Sequence, residues 1–177
     1  MWIALLRGIN VGGKNKLPMK KLVELFEALG FKDVRSYIQS GNVIFGGSPA
    51  AARKAPELVA AAIRKQWGYD VPVVLRSCKE VTAAVKRNPF AERADPAHLH
   101  VGFLAGKPSA AKIATLDPDR SAPDRFAVVG REIFFHTPNG IARTKLSNQY
   151  FDSKLSTVST VRNWRTVHKL IELCARA

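Results

Sequence analysis

Arg7 to Lys16 reads RGINVGGKNK, which places three glycines, one arginine and two lysines on a single stretch. Glycine admits positive φ and close approach, so such a loop can aim several backbone N–H groups at one anion. Gly8, Gly13 and Lys14 match G-x-x-x-x-G-K, the opening of a phosphate loop. The next position fails, because Asn15 stands where Ser or Thr would hold magnesium. No convincing apolar run ending in Asp supplies the second metal ligand. Nucleotide hydrolysis is therefore disfavoured, and plain anion binding is the better reading of this loop. A tight glycine turn flanked by solvated lysines competes with it.

Other residues suited to anion chemistry fall between elements, where binding groups usually sit. Gln39, Ser40 and Asn42 lie in QSGN, Arg143 and Lys145 in NGIARTKL, and Arg162 and Asn163 in VRNW. With Arg7, Asn10 and Lys14 they mix cations with amide and hydroxyl donors, the set used for phosphate or carboxylate. One ligand site gathering all ten is the expectation. The opposing reading gives the glycines to turns, Asn10 and Asn42 to caps or buried backbone, and Trp164 to the core.

Catalytic patterns are thin. His98 and His100 would share one face of a strand, but no Cys or carboxylate pattern completes a metal site. Ser40 lacks the glycine two positions earlier that a nucleophile elbow needs. Cys78 and Cys174 lie far apart with no C-x-x-C, which reads as two reduced structural thiols in a cytoplasmic protein. The residues identify no cofactor.

The net charge is +14, and it is spread along the chain. Residues 1–77 carry 12 basic and 5 acidic side chains, and residues 78–177 carry 16 and 9. A field of this sign favours nucleic acid or phosphorylated small molecules, although solubility alone explains it equally well. The sequence contains no apolar span long enough to cross a membrane, and the N-terminal apolar run stops at Arg7 without a signal-peptide layout.

The elements that must position these residues follow from periodicity. Trp2 to Leu6 reads as a buried strand. Leu17 to Leu29 is an amphipathic helix between Pro18 and Gly30. Residues 33–46 form a hairpin about Gln39–Gly41, Glu57 to Trp67 a second helix, and Tyr69 to Leu75 a strand. Ser77-Cys78-Lys79-Glu80 is a capping box opening a helix that Asn88-Pro89 stops. The same order returns over 98–161, with a hairpin about Gly130-Arg131 and a helix capped by Thr144 or Ser147. A last helix runs from Asn163 to Ala175. The expected fold is α+β, with duplicated ferredoxin-like (βαββαβ) subdomains packed together and a C-terminal helix. The boundaries are 1–76, a connecting helix and loop over 77–97, and 98–177.

Several segments together resemble a known bacterial family. LLRGINVGGKNK (Leu5–Lys16), YIQSGNVIF (Tyr37–Phe45), RNPF (Arg87–Phe90), HVGFL (His100–Leu104), NGIARTKL (Asn139–Leu146) and TVRNWRTVHKL (Thr160–Leu170) resemble the DUF1697 family. The resemblance implies two related α+β subdomains and carries no activity with it. Thr144 and Arg165 depart from the family wording, G-x-x-x-S-K-L and R-N-W-N-T. Thr144 keeps a hydroxyl, whereas Arg165 puts a cation where the family has a neutral amide.

Three function classes stay open. The first, and preferred, is non-enzymatic binding of a phosphorylated or polyanionic ligand, nucleic acid included, through a basic glycine-loop site. The second is an enzyme acting on a small anionic substrate between the subdomains. The third is a structural or protein-interaction module.

Overall fold

The computed structural model describes residues 1–176. Two compact units are present, Met1–Val81 with the chain end from Leu170, and Thr82–Lys169. In the first unit β1 (Trp2–Leu6), α1 (Met19–Ala28), β2 (Lys32–Tyr37), β3 (Asn42–Gly46), α2 (Pro49–Trp67) and β4 (Val73–Ser77) follow in order. The strands form one antiparallel sheet in the order β2-β3-β1-β4. Helix α3 (Cys78–Lys86) starts at the residue after β4.

The second unit runs β5 (Leu99–Leu104), α4 (Ala110–Ile113), β6 (Arg125–Val129), β7 (Glu132–His136), α5 (Asn148–Leu155) and β8 (Ser159–Asn163). Its sheet order is β6-β7-β5-β8, again antiparallel throughout. Helix α6 (Trp164–Ala175) starts at the residue after β8. Both units have the ferredoxin-like α+β arrangement, and the fold is a duplication.

The registers match residue by residue. Ile3 sits between Ile44 and Arg76, as Val101 sits between Phe134 and Arg162. The Leu6 N–H donates to the Gly41 carbonyl at 2.8 Å, and the Leu104 N–H to the Arg131 carbonyl at 2.9 Å. Few identical residues are shared, yet the same backbone bonds close both sheets.

Each sheet buries one face under its helices. In the first unit Leu22, Leu25 and Phe26 of α1 and Val59 and Ile63 of α2 cover Ala4, Val43 and Phe45. Phe26, Phe31 and Phe45 meet at ring centroids 4.6 to 5.8 Å apart. Each such ring contributes about 1.5–3 kcal/mol on burial. In the second unit Phe135 and Phe126 pack edge-on against Phe151 of α5.

Two local expectations are corrected, and the choice of cap for α5 is decided. Helix α2 begins at Pro49 rather than Glu57, because Ser48 caps it by accepting from the Ala51 N–H and the helix tolerates Pro56 inside. The cap of α5 is Ser147, which accepts from the Tyr150 N–H. Cys78 and Cys174 are not reduced thiols but form a disulfide, with their Cα atoms 6.0 Å apart. The capping box stands: the Ser77 N–H donates to Glu80 at 2.7 Å and the Glu80 N–H to the Ser77 Oγ at 3.2 Å. Among the described residues no helix is long and apolar enough to cross a membrane.

Candidate functional site

The glycine loop is a finger between β1 and α1. Gly12 and Gly13 have φ of +58° and +75°, the pair of signs a type I′ reversal requires. Val11 and Lys14 bridge across them, and the Lys14 N–H donates to the Val11 carbonyl at 3.0 Å. The Asn10 N–H is taken by the Asn15 carbonyl at 3.1 Å. These glycines shape a hairpin tip, and the tip does not feed α1, so the phosphate-loop match is fortuitous. Lys14 and Lys16 are exposed on the finger, and Val11 is 62% exposed at its tip.

Asn10 fixes the base of the finger. Its Oδ1 accepts from the Leu17 N–H at 2.8 Å, and its Nδ2 donates to the carbonyls of Leu17 at 2.9 Å and Gln39 at 3.0 Å. Asn42, wholly buried, donates from Nδ2 to the Ser40 Oγ at 2.9 Å and the Tyr37 carbonyl at 3.2 Å. The two asparagines therefore hold backbone, as the structural reading has it. The Arg7 N–H is bonded to the Pro72 carbonyl at 2.9 Å, so Arg7, Asn10, Gln39, Ser40 and Asn42 share one end of the first sheet.

Arg143 and Lys145 come together in the second unit. The chain from Asn139 to Leu146, with a 3-10 turn at Ile141–Arg143, folds against residues 119–124. Between them lies a cavity of about 520 Å³ lined by Asp119, Arg120, Asp124, Asn139, Arg143 and Lys145, with Ser121 also on its wall. Ser121 is the junction. Its Oγ donates to Asp124 Oδ2 at 2.8 Å and accepts from the Lys145 N–H at 3.0 Å and from the Thr144 hydroxyl at 3.3 Å. The Thr144 hydroxyl in turn accepts from the Leu146 N–H at 3.2 Å. Thr144 thus does hydroxyl work that serine could also do. Arg120 is pinned twice: Nε donates to the Lys145 carbonyl at 3.2 Å, and the guanidinium lies 4.1 Å from the centroid of the Tyr150 ring. A cation held on an aromatic face is oriented before any ligand arrives. Asp124 is buried, and its Oδ1 has no hydrogen-bond partner.

Arg162 and Asn163 lie elsewhere in the same unit. Arg162 is buried in β8 and donates to the Thr160 Oγ1 at 2.8 Å and the Val161 carbonyl at 2.9 Å. Burial pushes its guanidinium down to about 10, which leaves it charged at neutral pH. Asn163 caps α6 by accepting from the Thr166 N–H at 2.7 Å, and it lines a different cavity. Within the second unit alone, then, the expected single cluster divides. His98 ends a 3-10 turn ahead of β5, so it does not share a strand face with the buried His100. Among the described residues no group of three or more His, Cys, Asp or Glu could hold a metal.

Arg120, Ser121 and Asp124 were invisible as site residues because they sit in a polar stretch, DPDRSAPD, that reads as a connection. Only the fold brings that stretch against the motif loop.

The family model described as "Protein of unknown function (DUF1697)" matches residues 1–134. The chain belongs to the DUF1697 family. The match takes in the Met1–Val81 part of the first unit and runs to Phe134 in β7, so the loop carrying Arg143 and Lys145 lies outside it. A conserved bacterial protein from Streptococcus pneumoniae has a similar solved structure, with a TM-score of 0.74 at 24% identity over 98% of this chain and 97% of that one. At that identity the likeness is one of fold. No curated protein matches this DUF1697 member.

Proposed function

We propose that this DUF1697 protein binds a phosphorylated or polyanionic ligand, without transforming it, through the cation-lined cavity of residues 119–145. The observation that carries the reading is the meeting of Arg120, Arg143 and Lys145 on one cavity wall with Arg120 already fixed in place. Guanidinium forks suit the oxygens of phosphate, and preorganisation lowers the entropy lost on binding. Asp119 and Asp124 also line the cavity, and the Asp124 Oδ2 accepts from the Ser121 hydroxyl. The unpartnered Asp124 Oδ1 suits a ligand that brings a hydroxyl or amine beside its phosphate. The net charge of +14 draws such ligands from a distance. Single-stranded nucleic acid and sugar phosphates both have this chemistry.

A thermal-shift series with sugar phosphates and nucleotides tests the reading on the parent, Arg143→Ala and Lys145→Ala. A ligand at about 100 times its dissociation constant raises the parent's stability by roughly 2.7 kcal/mol. The expected result is a shift in the parent that both variants reduce. Equal shifts in all three proteins would place the ligand elsewhere.

A further inference from the structure

We propose a second ligand site at the start of α6, a cavity formed by Asp95, His100, Asn163, Trp164, Arg165 and His168 that takes a small oxyanion on a molecule also carrying a hydroxyl or amine. The duplication reveals it, because the first repeat has the same corner and closes it. Trp2 pairs with Ser77 in the first sheet as His100 pairs with Asn163 in the second. At the first corner Glu80 accepts from the Ser77 N–H at 2.7 Å and from the Ser77 hydroxyl at 2.9 Å. Its carboxylate sits at the positive end of α3 and neutralises it. Trp2 meanwhile donates its indole N–H to the Gly47 carbonyl at 3.0 Å.

The second corner has neither closure. Thr166 occupies the place of Glu80, and no acidic residue stands in the first turn of α6. Asn163 satisfies the Thr166 N–H, one of the N-terminal donors that no residue of the helix can accept from. Arg165 adds a cation where the first repeat has Lys79. Where Trp2 is satisfied, His100 is 7% exposed and its Nδ1 has no hydrogen-bond partner. A buried polar nitrogen left in that state is costly unless a ligand or water completes it.

The rest of the cavity indicates the ligand. Its volume is about 640 Å³, of the size that small-molecule sites have. Arg165 and His168 are exposed, and the His168 ring meets Trp164 edge-on at 4.9 Å. Burial lowers the His100 pKa, so the ring is neutral and Nδ1 either gives or takes one hydrogen bond. Asp95 accepts from the Ala97 N–H at 2.8 Å and brings a negative charge to the same cavity. An oxyanion at the helix end, with a hydroxyl or amine to satisfy Asp95, matches these groups. Phosphate and carboxylate share this chemistry.

The test uses the full chain and NMR. Inorganic phosphate and acetate are titrated separately while the Trp164 indole N–H and His168 ring signals are followed. The expected result is saturable movement with at least one anion, at a dissociation constant of about 1 mM or tighter. Whichever anion binds more tightly names the group. Arg165→Ala, an exposed substitution, and His100→Phe each weaken that binding about tenfold or more. Arg143→Ala leaves it unchanged, which separates this site from the cavity of residues 119–145. Movement that never saturates, or survives Arg165→Ala undiminished, overturns the proposal. So does its disappearance in Arg143→Ala.

Discussion

Arg76 and Arg162 hold the same place in the two repeats. Arg76 lies opposite Ile3 and donates to the carbonyl of Leu75 at 2.8 Å. Arg162 lies opposite Val101 and donates to the carbonyl of Val161 at 2.9 Å. Both are buried, at 1% and 7% exposure. A long cation has thus been kept inside each sheet at one matched position, just before the strand gives way to a helix.

This predicts a split between loss of volume and loss of charge. Arg76→Ala leaves a cavity and strands the groups the guanidinium satisfies, at a cost of about 2–4 kcal/mol. Arg76→Met fills most of the space and recovers much of that loss, since apolar replacements of buried ions are often tolerated. Urea unfolding of the two variants measures it. An Ala variant as stable as the Met variant would contradict the packing account.

The Cys78–Cys174 bond closes a sequence separation of 96 residues. Constraining the unfolded chain over so long a loop stabilises by about 2–4 kcal/mol. Unfolding with and without reductant, and of Cys174→Ser, should show that loss. Thiol titration of the unreduced protein should find no free cysteine. Two titratable thiols in freshly isolated native protein would refute the pairing.

His100 makes stability depend on pH. Burial lowers its pKa in the folded state below the ordinary value of 6.5. The unfolded chain therefore binds more protons, and stability rises with pH across the window between the two values. Stability is full above about pH 6.5 and falls as pH drops through the folded pKa, at no more than about 1.4 kcal/mol per pH unit. His100→Phe flattens this slope. A parent and variant with parallel pH profiles between neutral and mildly acid pH would exclude the effect.

Gly41 and Asn10 hold the glycine finger to the hairpin. A Cβ on Gly41 would meet the Leu6 Cβ at 2.8 Å, and the φ of +76° is itself unfavourable for any other side chain. Gly41→Ala therefore costs more than about 1 kcal/mol, and Asn10→Ala, which strips backbone groups of partners, about 1–3 kcal/mol. Hydrogen exchange should show faster opening of Leu6 and Leu17 in the respective variants. Unchanged exchange in both would mean that the finger is held by other contacts.

Much of the fold was legible because its determinants are local. The S-x-x-E box at Ser77–Glu80, the Gly130-Arg131 hairpin and the amphipathic stripe through Leu22 and Phe26 are written in short spacings. The start of α2 was not legible, because a helix capped at Ser48 begins at Pro49 and absorbs Pro56. The disulfide follows no spacing rule, since Cys174 meets Cys78 only because the chain end from Leu170 returns to the first unit. The site was half legible for the same reason. Arg143 and Lys145 stood out in a motif, whereas Arg120 and Asp124 acquire a role only when DPDRSAPD folds against that loop. Asn10 and Asn42 have the side chains of a binding site, yet the Asn10 amide ties the finger to Leu17 and Gln39, and the Asn42 amide holds its own hairpin turn.

The central claim is that the cavity of Arg120, Arg143 and Lys145 binds phosphorylated ligands. Its most direct test is fluorescence anisotropy of a short single-stranded RNA over a range of salt, with parent, Arg143→Ala and Lys145→Ala. If these cations contact phosphates, affinity falls steeply with salt, and each substitution weakens binding and reduces the salt slope by about one. Binding with the parent's affinity and slope in both variants would contradict the account.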